Sequence, residues 1–123
     1  MGSSIYKFLH WKYAEDHNCW DFVREFLIEI GGYPENVLPS KSGINPKDKK
    51  SMTKAAESVC LGLVDCDREE FAIACHFVGR TMWHVGVVYN NKIWHVGETT
   101  GVRMDSPRSF ESQLTTVYKK WQG

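Results

Sequence analysis

The sequence predicts an α+β domain in which N-terminal helices pack on a central antiparallel β-sheet. In the N-terminal half, apolar residues recur at spacings of three and four, the helical period, whereas from Phe71 onward the pattern is strand-like. Helical patterns followed by an antiparallel sheet are typical of the α+β class. The chain has 123 residues and no internal repeat, so we expect one domain over residues 1–123. Residues 1–4 are interpreted as a cloning remnant.

A first helix is predicted from Cys19 to about Ile30. Its apolar positions follow the helical period: Phe22, Val23, Phe26, Leu27 and Ile30. Asn18 is a favourable N-cap residue, and Gly31-Gly32 is a favourable stop because glycine readily adopts the conformation that ends many helices. An aromatic-rich stretch from Tyr6 to Tyr13 precedes this helix.

A second helix is predicted roughly from Asp48 to Leu61, after a proline-containing surface connection over residues 33–50. Its apolar positions are Met52, Ala55, Ala56, Val59 and Cys60. A short basic run stands where this helix begins: Lys47, Lys49 and Lys50. We interpret this run as a solvated loop, since a few lysines do not make a binding patch.

Three strands are predicted next, over Phe71–Cys75, Trp83–Tyr89 and Lys92–Gly97. The last two form a hairpin about Asn90-Asn91, because asparagine tolerates the positive φ angles that a two-residue turn requires.

A short helix and a last strand are predicted at the C-terminus. Ser106 is a favourable N-cap and Pro107 suits the first helical position, so we expect a helix that extends to Leu114. A final strand from Thr115 to Trp121 completes the domain.

The composition argues against several classes of protein. Lysines and arginines total 15 and so do aspartates and glutamates, so the basic surface typical of nucleic-acid binding is not expected. No stretch approaches the roughly 18 apolar residues that span a bilayer, and the N-terminus does not resemble a secretory signal. We therefore expect a protein that binds no nucleic acid, has no membrane span and is cytoplasmic where it is synthesised.

The four cysteines lack the spacing of a metal site or a disulfide framework. They stand at positions 19, 60, 66 and 75 and form no C-x-x-C pair. Cys60 and Cys75 lie in apolar runs and are interpreted as small buried hydrophobic residues. We predict no cofactor and no metal.

Cys19 has a different neighbourhood, because it opens the first predicted helix. The partial positive charge and the N–H groups at a helix N-terminus favour a thiolate, the nucleophilic form of cysteine, and can hold an oxyanion. A buried cysteine on an amphipathic helix fits the same position equally well. Position alone therefore makes Cys19 a candidate nucleophile without deciding between the two interpretations.

Two of the five histidines, His84 and His95, are predicted to share one face of the hairpin. With a two-residue turn, Gly86 lies opposite His95 and Gly97 lies opposite His84, since side chains alternate between faces. The two histidines are then diagonal neighbours about 7 Å apart, near enough for their rings to meet. A shift of one residue in the turn would place them on opposite faces.

A catalytic interpretation assigns one role to each of these residues. His84 takes the proton from Cys19 and later protonates the leaving amine, while His95 orients the His84 ring, as the third group of a triad does. The histidines can instead be structural, each hydrogen-bonded in a half-buried sheet. Cys19 and both histidines could also bind zinc, but a fourth ligand is missing.

The same residues resemble the NlpC/p-sixty family of papain-like cysteine peptidases. The matching segments are Asn18–Val23, His84–Tyr89 and Ile93–His95, in the order that this family has. The tract from Tyr13 to Arg24 is similar in particular to members found with phage tails. The resemblance implies a papain-like (NlpC-type) fold and cofactor-free hydrolysis of an amide bond in bacterial cell-wall peptidoglycan peptides.

The resemblance also implies further site residues and partners. Tyr13 matches a tyrosine that assists at the oxyanion site of the phage-tail members, with His17 or a backbone amide as the alternatives. Trp20, beside the nucleophile, is a further candidate for substrate binding. Phage-tail or secretion-system proteins would be the partners that place the enzyme on a virion or deliver it to the cell wall.

Two segments depart from the family pattern. Asp21 stands where the family often has glycine, and Asp67–Glu70 replaces a Gly-Asp pair that commonly precedes the histidine strand. These departures favour a first alternative, a non-catalytic phage tail assembly or adaptor module with the same fold. A second alternative is an acyl-transfer enzyme that acts on lipid or protein.

Overall fold

The computed structural model describes residues 2–14, 18–35, 63–97 and 99–121. The predicted helix from Asp48 to Leu61, its cysteine Cys60 and the lysine run at 47–50 lie outside these residues, as does His17. Three helices are described: α1 (Gly2–Leu9), α2 (Cys19–Glu29) and α3 (Pro107–Glu111). The strands are β1 (Leu63–Cys66), β2 (Ile73–Val78), β3 (Thr81–Tyr89), β4 (Lys92–Gly97), β5 (Gly101–Asp105) and β6 (Thr115–Trp121).

The six strands form one sheet in the order β1-β6-β2-β3-β4-β5, and every neighbouring pair is antiparallel. The predicted α+β class with a central antiparallel sheet is confirmed. Within the described part of the chain, no helix is long and apolar enough to cross a membrane.

Helix α2 begins at Cys19 because Asn18 caps it. The Asn18 side chain accepts from the backbone N–H groups of Trp20 at 3.0 Å and Asp21 at 3.2 Å, and the Asp21 carboxylate accepts from the Asn18 N–H at 3.0 Å. This reciprocal capping box satisfies N–H groups that the first helical turn leaves without helical partners. It also explains why an aspartate stands at position 21.

Helix α1 was not predicted, and it starts at Gly2, inside the tetrapeptide interpreted as a cloning remnant. Its buried anchor is Phe8, whose ring lies 5.6 Å from the ring centroid of Phe22 and 4.9 Å from that of Phe26. Aromatic pairs at such distances stabilise a contact beyond the area they bury. The aromatic stretch before Cys19 therefore packs α1 against α2.

The sheet has a different apolar cluster on each face. Val85, Val87 and Trp94 belong to the larger cluster with the buried face of α2, whereas Val88 and Ile93 belong to a smaller cluster with Phe110 of α3. This division follows from the alternation of side chains along a strand. One face of the sheet is thus covered by α2, and the other face carries α3.

The hairpin between β3 and β4 has the predicted two-residue turn. Asn90 and Asn91 have φ angles of +51° and +66°, the positive values required at both central positions of a type I′ turn. The pairing of Tyr89 with Lys92 confirms the predicted register.

Four predicted boundaries were wrong by a few residues, among them the end of β2, which lies at Val78 instead of Cys75. Strand β2 starts at Ile73 instead of Phe71, because Phe71 has a φ angle of +64° and cannot continue an extended strand. Strand β3 starts earlier, at Thr81, and α3 ends at Glu111 instead of Leu114. The start of α3 is as predicted, since the Ser106 hydroxyl accepts from the Ser109 N–H at 3.2 Å ahead of Pro107.

Candidate active site

Cys19 occupies the first position of α2 and is 2% exposed within the larger apolar cluster. The amides of Trp20 and Asp21 belong to the N–H groups expected to hold an oxyanion, and both donate to the Asn18 side chain instead. An oxyanion bound near Cys19 would therefore need other donors than these two amides. The helix N-terminus still places its partial positive charge beside the Cys19 thiol, an effect that favours the thiolate, whereas burial in the apolar cluster favours the thiol.

The structure brings His84 and His95 together. Nε2 of His84 lies 3.0 Å from Nδ1 of His95, and the ring planes are inclined by 76°. The ladder between β3 and β4 covers the three pairs nearest the turn, and the histidines lie beyond it. Their hydrogen bond therefore joins the two strands where the backbone ladder has ended.

Gly86 makes room for this contact. A Cβ atom on Gly86 would lie 3.2 Å from the Cβ of His95 and 3.0 Å from the carbonyl oxygen of Trp94. Both distances are closer than comfortable van der Waals contact, so a side chain at position 86 would push against the neighbouring strand. The expectation that a glycine opens space beside His95 is confirmed.

A β-bulge lies immediately before His84. His76 pairs with His84 while Phe77 pairs with Met82, which leaves Trp83 as the extra residue of β3. Bulges bend a strand and re-aim its side chains, and they are frequent beside active sites. Here Met82 faces the α2 cluster, whereas His84 shares the other face with His76.

Asp105 joins the site from β5, a strand that sequence reasoning did not predict. Its Oδ2 lies 2.8 Å from Nε2 of His95, and its Oδ1 accepts from Nη2 of Arg103 at 3.1 Å. Burial opposes ionisation of Asp105, but the hydrogen bond and charge of His95, together with Arg103, outweigh it and lower the pKa of this carboxyl. The one signal in the sequence was Gly101, which turns the chain back beside β4 with a φ angle of +69°.

The surroundings of His95 favour its neutral imidazole. Burial lowers its pKa, and this effect outweighs the hydrogen bond and charge of Asp105, which act in the opposite direction. The ring of Phe110 lies against His95 with centroids 5.2 Å apart, and its apolar surface contributes to this burial.

His76 has a separate, structural environment, although it lies opposite His84. Its Nε2 donates to the Phe110 carbonyl oxygen at 2.8 Å, and its ring stacks on Phe110 with centroids 3.6 Å apart. Burial lowers the pKa of His76 as well. The contacts of this residue attach α3 to the sheet.

Helix α2 packs on strands β3 and β4 beside the hairpin turn. Phe26, seven residues after Cys19, contacts Tyr89 and Trp94 beside the hairpin turn, at centroid distances of 5.2 and 5.6 Å. Cys19 lies about two helical turns before Phe26, roughly 10 Å along the helix axis. Cys19 belongs to the α2 face and the His84 ring to the α3 face, and their pairing stays a prediction.

The oxyanion and substrate candidates occupy different environments. Tyr13 is partly buried and packs against the larger cluster. Trp20 is 3% exposed in that cluster, so its indole serves packing and offers little surface to a substrate. Among the residues that the structure describes, no group of three or more His, Cys, Asp or Glu side chains could hold a metal ion.

Comparison with known proteins assigns the chain to no family. No family model matches the sequence, and no curated protein is significantly similar to it.

Proposed function

We propose that this protein is a cysteine hydrolase of papain-like, NlpC-type fold that cleaves an amide bond in bacterial cell-wall peptidoglycan peptides. The observation that carries the proposal is the 3.0 Å contact between His84 Nε2 and His95 Nδ1. This contact gives the base a positioned partner, as in a catalytic triad. The cysteine assigned as the nucleophile is the first residue of α2.

The contact assigns a role to each nitrogen of the His84 ring. His95 holds Nε2, so Nδ1 is the atom that we assign to the thiol of Cys19; this assignment requires the thiol, in the α2-face cluster, to reach the His84 ring on the other face of the sheet. Proton transfer from Sγ to Nδ1 gives a thiolate, which attacks the carbonyl carbon of the scissile amide. His84 then gives its proton to the leaving amine, and the C–N bond breaks to leave a thioester on Cys19.

Hydrolysis of the thioester uses the same residues in reverse. His84 Nδ1 takes a proton from water, and the resulting hydroxide adds to the thioester carbonyl carbon. The C–S bond breaks, the carboxylate product leaves and Sγ is protonated again. The reaction consumes one water and needs neither a metal nor a redox cofactor.

The resemblance to phage-tail members of the NlpC/p-sixty family supports this choice of substrate and of partners. Within the proposal, a phage tail or a secretion system delivers the enzyme to the cell wall. The net charge of zero gives the protein no electrostatic preference for nucleic acid over a peptide substrate.

The proposal is tested by incubating the purified protein with bacterial cell-wall sacculi and with soluble muropeptides, and measuring newly formed amino groups. We expect hydrolysis by the wild type, none by Cys19→Ala, and full activity in the matched control Cys75→Ala if that variant folds. Cys75 is 1% exposed and lies within strand β2, not at a helix N-terminus. Hydrolysis that survives in Cys19→Ala would contradict the proposal.

A second candidate is a non-catalytic module of the same fold, such as a tail assembly or adaptor protein. The burial of Cys19 favours it, since a residue that is 2% exposed also satisfies the requirements of a core position. For this candidate, we expect Cys19→Ala to lower stability with no activity to lose. Absence of hydrolysis across the whole substrate panel, together with an unreactive Cys19, would favour this second function.

A further inference from the structure

A line of hydrogen bonds crosses three neighbouring strands diagonally. It runs from His84 on β3 to His95 on β4 over 3.0 Å, and from His95 to Asp105 on β5 over 2.8 Å. Arg103, which pairs with His95 across the β4–β5 ladder, binds the other oxygen of Asp105. The side chain of Asp105 is 12% exposed, so its carboxylate acts in a partly dehydrated environment where charge interactions are strong.

The charge of Asp105 determines which nitrogen of His95 carries the proton. An ionised carboxylate only accepts hydrogen bonds, so the nitrogen 2.8 Å away, Nε2, must donate. A neutral imidazole has one donor nitrogen and one acceptor nitrogen. Nδ1 of His95 is therefore an acceptor.

The same logic then applies to His84. Since Nδ1 of His95 accepts, Nε2 of His84 must donate across the 3.0 Å contact. The neutral His84 ring then carries its proton on Nε2 and has an unprotonated Nδ1. One carboxylate thus determines the tautomers of two rings, although it touches only one of them.

We propose that Asp105 is a positioning residue that holds His95 and His84 in their Nε2-protonated tautomers, so that His84 presents an unprotonated Nδ1. For neutral rings, the tautomers follow from these two contacts. The use of that nitrogen as the base for Cys19 rests on the proposed function. When His84 becomes an imidazolium, its Nε2–H still donates to His95, and the Asp105 charge stabilises the cation through the intervening ring.

Because Arg103 binds one oxygen of Asp105, a single substitution, Asp105→Asn, can test the proposal. In Asp105→Asn, the amide oxygen is expected to face the Arg103 guanidinium, which only donates. The amide NH₂ group then faces Nε2 of His95, which must accept. His95 becomes Nδ1-protonated, and His84 must in turn become Nδ1-protonated. The substitution is nearly isosteric, but it reverses both tautomers.

The experiment is a long-range ¹H–¹⁵N correlation spectrum of histidine-labelled protein at about pH 8, where ordinary imidazoles are neutral. Such spectra distinguish protonated from unprotonated ring nitrogens. We expect Nε2–H in both rings of the wild type and Nδ1–H in both rings of Asp105→Asn. In Arg103→Ala/Asp105→Asn the amide can rotate, and both rings should return toward the wild-type tautomers. Asp65→Asn, at an exposed carboxylate that pairs with Lys119, is the matched control and should change neither ring.

The outcomes separate this inference from the proposed function. Nδ1–H tautomers in the wild type, or unchanged tautomers in a folded Asp105→Asn, would overturn the role of Asp105 even if the protein is a hydrolase. If Asp105→Asn does not fold, the wild-type spectrum alone decides. Reversal of the tautomers in a protein that hydrolyses nothing would sustain the inference while the proposed function fails. If both hold, Asp105→Asn should lower kcat by about 10²–10⁴-fold, because the base is lost.

Discussion

His76 lies directly opposite His84 in the β2–β3 ladder, yet the two rings bond to different parts of the protein. His76 donates to the Phe110 carbonyl oxygen at 2.8 Å, whereas His84 contacts His95 at 3.0 Å. Two adjacent histidines on one face thus have separate tasks: one attaches a helix and the other belongs to the candidate site.

This difference predicts opposite results for matched substitutions of the two residues. His84→Gln should lower peptide hydrolysis by about 10²–10⁴-fold, the usual contribution of a positioned general base. His76→Gln can still donate to Phe110 and should keep most of the activity. Rates on soluble muropeptides, with thermal melts to show that both variants fold, make the comparison. Loss of activity in His76→Gln alone would mean that the wrong histidine has been chosen.

The buried His76 also predicts how stability changes with pH. Burial lowers its pKa in the folded state below the ordinary value of 6.5, so below that pH the unfolded chain binds a proton that the folded chain does not. The stabilising contribution is complete above about pH 6.5 and is lost as the pH falls toward the folded pKa. His95 contributes with the same sign, because burial lowers its pKa as well.

The measurement is the free energy of unfolding in urea at several pH values between about 7.5 and about 5. We expect wild-type stability to fall over this range, by at most ~1.4 kcal/mol per pH unit for each histidine. His76→Gln should reduce the slope, since it removes one of the groups whose pKa burial lowers. An equal slope in both proteins would show that His76 does not titrate differently in the folded state.

Alanine substitutions at Gly86 and Gly97 provide a second matched comparison. A Cβ on Gly86 would meet the Trp94 carbonyl oxygen at 3.0 Å and the His95 Cβ at 3.2 Å, neither of which can move freely. A Cβ on Gly97 would meet the Thr100 hydroxyl at 2.5 Å, the end of a side chain that can rotate. Gly86→Ala should therefore cost about 1–3 kcal/mol of stability and displace His95, whereas Gly97→Ala should cost less. The measurements are the free energy of unfolding in urea and the hydrolysis rate of both variants. A larger loss of stability in Gly97→Ala than in Gly86→Ala would contradict the prediction.

The role of His95 as an orienting residue predicts a graded response. Asparagine can accept from Nε2 of His84 through its amide oxygen, whereas alanine cannot. His95→Asn should therefore keep part of the activity, and His95→Ala should lose about 10-fold to 100-fold, as expected when a supporting partner of a histidine is removed. The ratio of kcat between the two variants is the measurement. Equal losses would argue that His95 does not orient the base through a hydrogen bond.

Sequence reasoning found the elements whose local chemistry is strong. The capped start of α2 at Cys19, the Ser106-Pro107 start of α3 and the Asn90-Asn91 turn each depend on residues adjacent in the chain. Because the predicted two-residue turn was correct, the strand register that it sets was enough to predict that His84 and His95 meet.

The missed elements depend on contacts between distant segments. Strands β1 and β5 are short edge strands with mostly unburied residues, so they have no clear apolar alternation to recognise. Gly101 marked the turn into β5, but without the strand itself no pattern pointed to Asp105. The bulge at Trp83 was equally hidden, because an extra residue in one strand appears only when its partner strand is known.

The central claim, an activated thiolate at Cys19, is tested most directly by iodoacetamide labelling of each cysteine from about pH 5 to about pH 9, located by mass spectrometry. Cys66 is an internal comparison, because it is more exposed than Cys19, and burial and the Glu69 carboxylate raise the pKa of its thiol. We predict selective labelling of Cys19 well below pH 8, and loss of this selectivity in His84→Ala. Labelling of Cys19 only near the ordinary thiol pKa of about 8.5, or no labelling at all, would contradict the account.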